Sequence, residues 1–166
     1  MRARPLSFSA REATTMLEEL SSIFDWFREL CGDRIQWEDK KLITGLARVG
    51  RARAVVIAFN PEQTPHPEAA FRKGIRMVKL AEKLGCPVLI VVGAKGERSP
   101  GKPSHDLIHF AEELFKSLLS AEVPVYSLSL GGKLGEIERL MLKAARPVEL
   151  KELEKALLLE RGERIC

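Results

Sequence analysis

Two stretches of this chain repeat one pattern, and the repeat limits the folds open to it. "LGCPVLIVVGAKG" and "AEVPVYSLSLGGKLG" each run from the end of a helical pattern, through Pro-Val, into an apolar strand and then into glycines. Helices that alternate with buried strands predict an α/β layered domain with parallel strand pairing. The carboxyl ends of parallel strands share one edge of the sheet, where ligands collect, and both glycine loops are predicted there.

Apolar periodicity predicts the other elements of the domain. "TTMLEELSSIFDWFREL" predicts a helix from about Thr15 to Leu30, and "KLITGLARVGRARAVVIAF" predicts a hairpin of two strands around Gly50. The second strand, "AVVIAF", is apolar on both faces, so we expect it inside the sheet rather than at an edge. Further helices are predicted in "PEAAFRKGIRMVKLAEKL", in "HDLIHFAEELFKSLLS" and in the last part of the chain.

The length of 166 residues suits one domain with one core. We expect a loose amino-terminal arm over residues 1–13, the α/β domain over 14–146 and a carboxyl-terminal helix over 147–166. The amino terminus lacks the apolar centre of a signal peptide, and no apolar run is long enough to span a bilayer. These features indicate a cytoplasmic protein, and the abundance of Glu, Lys and Arg is typical of a heat-adapted source.

The charge and cysteine patterns argue against several kinds of binding site. The net charge of +4 is spread as mixed Lys, Arg, Glu and Asp, without the basic stripe and aromatics of a nucleic-acid binder. The three cysteines are far apart and form no CxxC pair, which argues against a disulfide framework and a cysteine zinc site. His105 and His109 have metal-binding spacing but no third ligand near in sequence. We therefore expect no metal, no nucleic acid and no membrane as partners.

Gly131 and Gly132 follow directly after the second repeated strand. Two glycines let the backbone turn sharply and bring its N–H groups close to a ligand. A helix that starts near Lys133 would add free N–H groups and a dipole that favour an oxyanion. The pair is therefore either an oxyanion hole, in which fixed donors meet charge as it develops, or a plain strand-to-helix turn.

The glycine loop after the first repeated strand carries Gly93, Gly96 and Gly101. Their spacing matches neither the dinucleotide fingerprint G-x-G-x-x-G nor a phosphate-binding P-loop. Lys95 and Arg98 offer positive charge for a phosphate, but exposed loop cations usually bind nothing specific. The serines of the chain form no G-x-S-x-G elbow of the hydrolase kind, so nucleophilic catalysis is not indicated.

Several segments match one known family in order and spacing. "TTMLEELSSIFDWFRELCGDR" has its Thr-Thr start, its helix rich in Phe and Leu and its Gly-Asp-Arg ending, and "ITGLAR" resembles its Gly-Leu-Ala-Arg hairpin. The next helix carries the Pro-Glu and Arg-Lys pairs of the family (Pro67, Glu68, Arg72 and Lys73), and with "VPVYSLSLGGKLG" the match spans about residues 14–140. The chain thus resembles the α subunit of the acetyl-CoA carboxylase carboxyltransferase, whose fold is crotonase-like, with ββα layers and a mostly parallel sheet.

That resemblance implies a reaction in which carboxybiotin on a partner protein gives its carboxyl group to an acyl-CoA, as in malonyl-CoA formation for fatty acid biosynthesis. It implies a carboxyltransferase β subunit and a biotin carrier protein as partners, with the family's zinc on the β side. Gly131 and Gly132 match the glycine pair whose N–H groups stabilise charge on the biotin ureido oxygen. Gly96, Gly101 and Gly135 match glycines that are expected to bind the cofactor.

The chain also departs from the family pattern. The first glycine loop reads "AKGERSPG", without the family's aromatic residue, and Lys133, Leu134 and Glu136 stand where the family keeps small residues. Two roles therefore stay open: a carboxyltransferase component, or a non-catalytic domain that binds an acyl-CoA or serves as an assembly subunit. Both predict a homo-oligomer, most simply a dimer, because a short crotonase-like core leaves strand edges and helix faces uncovered.

Overall fold

This computed structural model describes residues 16–31, 41–60, 67–93 and 105–158. A six-stranded sheet lies at the centre of this part of the chain. The first two strand pairings are antiparallel and the last three are parallel, so the predicted α/β domain with a mostly parallel sheet is confirmed. The strands lie in chain order: β1 (Trp26–Glu29), β2 (Leu42–Val49), β3 (Ala52–Phe59), β4 (Val88–Val92), β5 (Val125–Ser129) and β6 (Arg146–Pro147).

Helices connect these strands and cover the sheet. The second helix begins at Pro67, because a first helical turn does not need the N–H that proline lacks, and it ends before Gly85, which has a φ of +66°. None of the described helices is long and apolar enough to cross a bilayer. The helices are α1 (Met16–Ile23), α2 (Pro67–Leu84), α3 (His105–Leu119) and α4 (Glu136–Leu142), followed by a 3-10 turn (Leu150–Glu152) that leads into α5 over 153–158.

Two apolar layers lie on opposite faces of the sheet, because successive residues of a strand point to opposite sides. Val55 and Ile57 of β3 pack in one layer with residues of α2, α3 and α4. Val56 and Ala58 pack in the other layer with residues of α1 and α5. β4 is buried along its whole length, as expected for a strand that is covered on both faces.

A tight turn at Gly50 and Arg51 joins β2 to β3 and confirms the predicted hairpin. Gly50 has a φ of +57°, which glycine adopts without steric cost. Its N–H donates to Asp25 Oδ2 at 2.6 Å, and the N–H of Arg51 donates to Glu154 Oε1 at 3.2 Å. Carboxylates from two distant segments therefore hold this turn in place.

The predicted helix from Thr15 to Leu30 is wrong in its second half. α1 ends at Ile23, and the chain then forms β1, which pairs antiparallel with β2. The Leu30 N–H donates to the Thr44 carbonyl oxygen at 2.8 Å, and the Thr44 hydroxyl donates back to the Leu30 carbonyl oxygen at 2.8 Å. Aromatic residues favour strands, and these long-range hydrogen bonds override the local helical pattern. Thr15 itself lies outside the described residues.

The residues after β6 continue the sheet before they become helical. The N–H of Val148 donates to the Ser127 carbonyl oxygen at 2.9 Å, and α5 then places Leu153 and Leu157 in the same apolar layer as α1. Residues 1–13 lie outside the described part of the chain. The division into an arm, a domain and a separate carboxyl-terminal helix stays a prediction.

Candidate functional site

The carboxyl ends of β4 and β5 bring the two repeated glycine segments side by side. Val92 pairs with Ser129, and the N–H of Leu130 donates to the Val92 carbonyl oxygen at 2.9 Å, so the two strands end in register. The next residues are Gly93, with a φ of +86°, and Gly131, with a φ of +96°. The expected meeting of the two glycine segments at this edge is thus confirmed for these two residues.

Gly93 packs directly against the backbone of Gly131. A Cβ atom added to Gly93 would overlap the Gly131 carbonyl oxygen and lie 3.2 Å from the Gly131 nitrogen. A Cβ atom added to Gly131 would meet no atom of the described residues within 4 Å. The described residues therefore crowd Gly93 at this contact but leave the Cβ position of Gly131 free.

Gly131 and Gly132 form the glycine pair that follows β5. Both are exposed, and both have positive φ values, +96° and +77°. The Gly131 N–H donates a long hydrogen bond to Ser129 Oγ at 3.4 Å. Within the described ranges, no residue accepts a hydrogen bond from the Gly132 N–H. An exposed backbone donor is chemically suited to an anionic oxygen.

The helix after the glycine pair begins later than expected. α4 starts at Glu136, not near Lys133, and Gly135 is its N-cap with extended backbone at φ −76° and ψ 173°. Consecutive positive φ values at Gly131 and Gly132 are incompatible with a right-handed helix, so residues 133–135 separate the pair from α4. The N–H groups of the pair are therefore not those of a helix amino terminus, and that part of the prediction is wrong.

Sequence reasoning missed Glu138, a buried carboxylate of α4. The residue is 6% exposed, and its Oε2 accepts a hydrogen bond from the Gly135 N–H at 3.3 Å. Burial raises the pKa of Glu138 above its ordinary value, whereas the Gly135 hydrogen bond and the positive charges of Lys41 and Arg139 oppose that rise. The available signal was the spacing of Gly135 and Glu138, which is that of a capping box at a helix start.

Of the three other glycines predicted to bind the cofactor, the structure describes Gly135. Gly96 and Gly101 lie outside the described residues, as do Lys95 and Arg98. Gly135 caps α4 and donates its N–H to Glu138. Their part in cofactor binding stays a prediction.

The histidine pair of α3 lies on the surface of the domain. His105 and His109 are both exposed, and the His109 ring is tilted against Phe110 with the ring centroids 5.9 Å apart. In the part of the chain that the structure describes, no three or more His, Cys, Asp or Glu side chains are grouped as metal ligands. Among the described residues, His105 and His109 are therefore not part of a set of three or more metal ligands.

Comparison with known proteins gives one consistent family. The sequence profile described as acetyl co-enzyme A carboxylase carboxyltransferase-like matches residues 9–106. The acetyl-coenzyme A carboxylase carboxyl transferase subunit alpha of Staphylococcus carnosus (strain TM300) is 33% identical over 135 residues, which cover 73% of this chain and 42% of that protein. The subunit of the same name from Xylella fastidiosa (strain M12) is 36% identical over 91 residues, 48% of this chain and 28% of that protein. The chain thus spans less than half the length of these curated relatives.

Solved structures share the fold at lower sequence identity. The beta subunit of P. aeruginosa geranyl-CoA carboxylase has a TM-score of 0.55 and 19% identity, over 74% of this chain and 23% of that chain. Transcarboxylase 12S with hydrolyzed methylmalonyl-coenzyme A bound has a TM-score of 0.55 and 15% identity, over 77% of this chain and 28% of that chain. At these identities the likeness concerns the fold alone, and it confirms the crotonase-like fold that the sequence predicts.

Proposed function

The chain belongs to the acetyl co-enzyme A carboxylase carboxyltransferase-like family, and from this premise we propose that it acts as the α-type component of a biotin-dependent acyl-CoA carboxyltransferase. The carboxyl donor is carboxybiotin on a partner protein, and the acceptor is an acyl-CoA. The observation that carries the proposal is the exposed pair Gly131 and Gly132, which follows β5 at the carboxyl edge of the parallel strands. The matched profile ends at residue 106, so the role of the pair rests on its geometry.

The glycine pair would act by stabilising charge. Carboxybiotin, when bound, would supply the carboxyl group to the acyl α-carbon; negative charge would develop on its ureido oxygen and would be neutralised when the ureido nitrogen takes up the α-proton of the acyl group. The Gly132 N–H is a donor held in place before the reaction, and such donors stabilise developing charge without reorganising. Neither glycine gains or loses a proton, so the pair contributes electrostatic stabilisation rather than acid–base catalysis.

The surroundings of the pair fit an anionic ligand. Among the described residues, no atom lies within 4 Å of the position that a Cβ atom of Gly131 would take. Positive φ values at Gly131 and Gly132 are conformations that residues with side chains rarely adopt, so the backbone shape of this segment depends on glycine. This combination supports a ligand-binding backbone segment over a plain turn.

The proposed site is shared with other proteins. Curated relatives of the chain are named as subunits of acetyl-coenzyme A carboxylase, which supports an assembly of more than one chain. We assign the acyl-CoA thioester to a carboxyltransferase β-type subunit and the carboxybiotin to a biotin carrier protein. Gly131 and Gly132 are exposed in the described part of the chain, which is consistent with a site that partners complete.

Ligand binding and carboxyl transfer test this proposal with the full chain. Isothermal titration calorimetry with acetyl-CoA, and separately with biocytin, measures what the chain binds alone. After addition of a candidate β-type subunit, transfer from malonyl-CoA to biocytin is followed by the release of acetyl-CoA. Transfer that requires both proteins is the expected result. The absence of both binding and transfer would sink the proposal.

One outcome of the same experiment would favour the second role that the sequence leaves open. Binding of acetyl-CoA without transfer, in the presence of a β-type subunit that is active with another α subunit, would indicate a non-catalytic acyl-CoA-binding or assembly domain. In that case Gly131 and Gly132 would form a structural turn. Their replacement would then change stability but not acyl-CoA binding.

A further inference from the structure

We propose that Gly93 is a positioning residue that fixes the direction of the Gly132 N–H. Gly93 lies outside the glycine pair, on the neighbouring strand end after β4, and has a φ of +86°. Its α-carbon packs against the carbonyl oxygen of Gly131. The effect of this contact on catalysis rests on the proposed function of the glycine pair. Its effect on the direction of the Gly132 N–H does not.

The planarity of the peptide bond connects Gly93 to the Gly132 donor. The carbonyl of Gly131 and the N–H of Gly132 belong to one trans peptide, in which the two groups point in opposite directions. Because the carbonyl oxygen faces the α-carbon of Gly93, the N–H points away from β4. Any rotation of the carbonyl therefore turns the donor by the same angle.

Two hydrogen bonds fix the backbone immediately before the Gly131–Gly132 peptide. The Leu130 N–H donates to the Val92 carbonyl oxygen at 2.9 Å, immediately before the glycine contact. The Gly131 N–H donates to Ser129 Oγ at 3.4 Å. An α-hydrogen of Gly93 faces the Gly131 carbonyl oxygen in the manner of a Cα–H···O contact. The Gly93 contact thus bears directly on the Gly131–Gly132 peptide, while the two hydrogen bonds fix the backbone that leads into it.

Position 93 requires glycine for two reasons. A side chain there is disfavoured by the positive φ, and its Cβ atom would overlap the Gly131 oxygen. That oxygen belongs to the backbone, so it cannot swing aside as the end of a long side chain can. Alanine at this position must therefore push the carbonyl and rotate the peptide. A misplacement of about 1 Å in a catalytic group costs about 100-fold in rate.

The variant Gly93→Ala tests the inference against Gly85→Ala as a matched control. Gly85 also has a positive φ, +66°, but a Cβ atom there would meet no described atom within 4 Å. The two variants therefore share backbone strain and differ in the contact with Gly131. In NMR spectra of the 15N-labelled full chain, the amide signals of Gly131 and Gly132 should shift in Gly93→Ala and stay in place in Gly85→Ala. Unchanged signals in both variants would overturn the inference.

The unmodified chain provides a test that does not depend on the folding of Gly93→Ala. The contact places an α-proton of Gly93 within range of a nuclear Overhauser effect to the backbone protons of Gly131. That effect is the expected result. Its absence from a spectrum in which both residues are assigned would overturn the inference.

Transfer kinetics connect this geometry to the proposed function. With a β-type partner, Gly93→Ala should lower kcat about 100-fold with little change in KM for the acyl-CoA, because the lost interaction acts in the transition state. Gly85→Ala should keep both constants. Unchanged kcat in Gly93→Ala, despite shifted amide signals, would overturn the positioning role. An unmodified chain that transfers no carboxyl group contradicts the proposed function instead, and the amide signals still decide whether Gly93 directs the peptide.

Discussion

The Asp25 carboxylate accepts a hydrogen bond from the Gly50 backbone N–H at 2.6 Å. This contact ties the segment between α1 and β1 to the turn of the hairpin. The variant Asp25→Ala should lower the free energy of unfolding by about 1 kcal/mol, because the turn loses a charged acceptor. Urea unfolding followed by circular dichroism measures the change. Glu112→Ala, an exposed change on α3, is the control and should stay within about 0.5 kcal/mol of the unmodified protein. Equal stability of the two variants would contradict a stabilising role for Asp25.

Gly132→Val should remove carboxyl transfer while the fold persists. A β-branched side chain is strained at the φ of +77° and obstructs the approach to the backbone N–H. The loss of one donor of this kind lowers kcat by about 100- to 1,000-fold. Gly85→Val introduces a similar strain at the end of α2 and should keep transfer, as measured with the β-type partner. If Gly132→Val loses its cooperative thermal transition together with its activity, the pair is a structural turn instead.

Glu138 should make the stability of the fold depend on pH. Burial raises its pKa in the folded state above the ordinary value of 4.5, so the folded protein holds this proton more tightly than the unfolded chain. The stabilisation is fully present below the unfolded pKa and is lost as the pH rises through the raised folded pKa. Glu138→Gln keeps an acceptor for the Gly135 N–H and carries no charge. Its stability relative to the unmodified protein should therefore increase between about pH 4 and pH 7.

Urea unfolding of both proteins at a series of pH values measures this effect. The quantity to follow is the difference in free energy of unfolding between Glu138→Gln and the unmodified chain. A difference that stays constant with pH, or that falls as the pH rises, would show that the carboxylate is not penalised by burial. Glu112→Gln, the same chemical change at an exposed position of α3, is measured alongside as the control.

The domain should form a homodimer at micromolar concentration. Leu84 at the end of α2 is 51% exposed and Leu119 at the end of α3 is 58% exposed, so self-association would remove apolar surface from water. Light scattering should give twice the mass of one chain, and Leu119→Lys should weaken the dimer. A monomer in the unmodified protein is the outcome that contradicts this expectation.

Local sequence patterns predict those elements whose turn residues and apolar runs lie within a few residues of one another. Each Pro-Val strand is short, apolar and followed by glycine, and Gly50 sits between two apolar runs, so the hairpin and both strands follow from the sequence. For residues 26–29, by contrast, the local pattern predicts a helix and the structure has a strand. Phe24 and Phe27 have helical spacing, yet in the structure they stack with ring centroids 6.0 Å apart across the start of β1. The strand is selected by its pairing with β2, which no local pattern contains.

The candidate site shows the same limit. The sequence predicts that glycines stand at two strand ends, but the contact between Gly93 and Gly131 depends on the register of β4 and β5. Register depends on the packing of whole strands and not on the loop residues themselves. The burial of Glu138 likewise follows from the packing of Ile137 and Met141 into the apolar layer. Both features therefore became visible only in three dimensions.

The apolar layer shared by α1 and α5 has a consequence for biosynthesis. A hydrogen bond from Arg51 to Glu154 spans 103 positions of the chain, and Leu153 and Leu157 complete the layer that begins with α1. On the ribosome, the hairpin and β4 emerge long before α5 is made. This face of the growing sheet is therefore covered only in part, by α1, during translation, and its completion is a late event that occurs after residues 153–158 have left the exit tunnel.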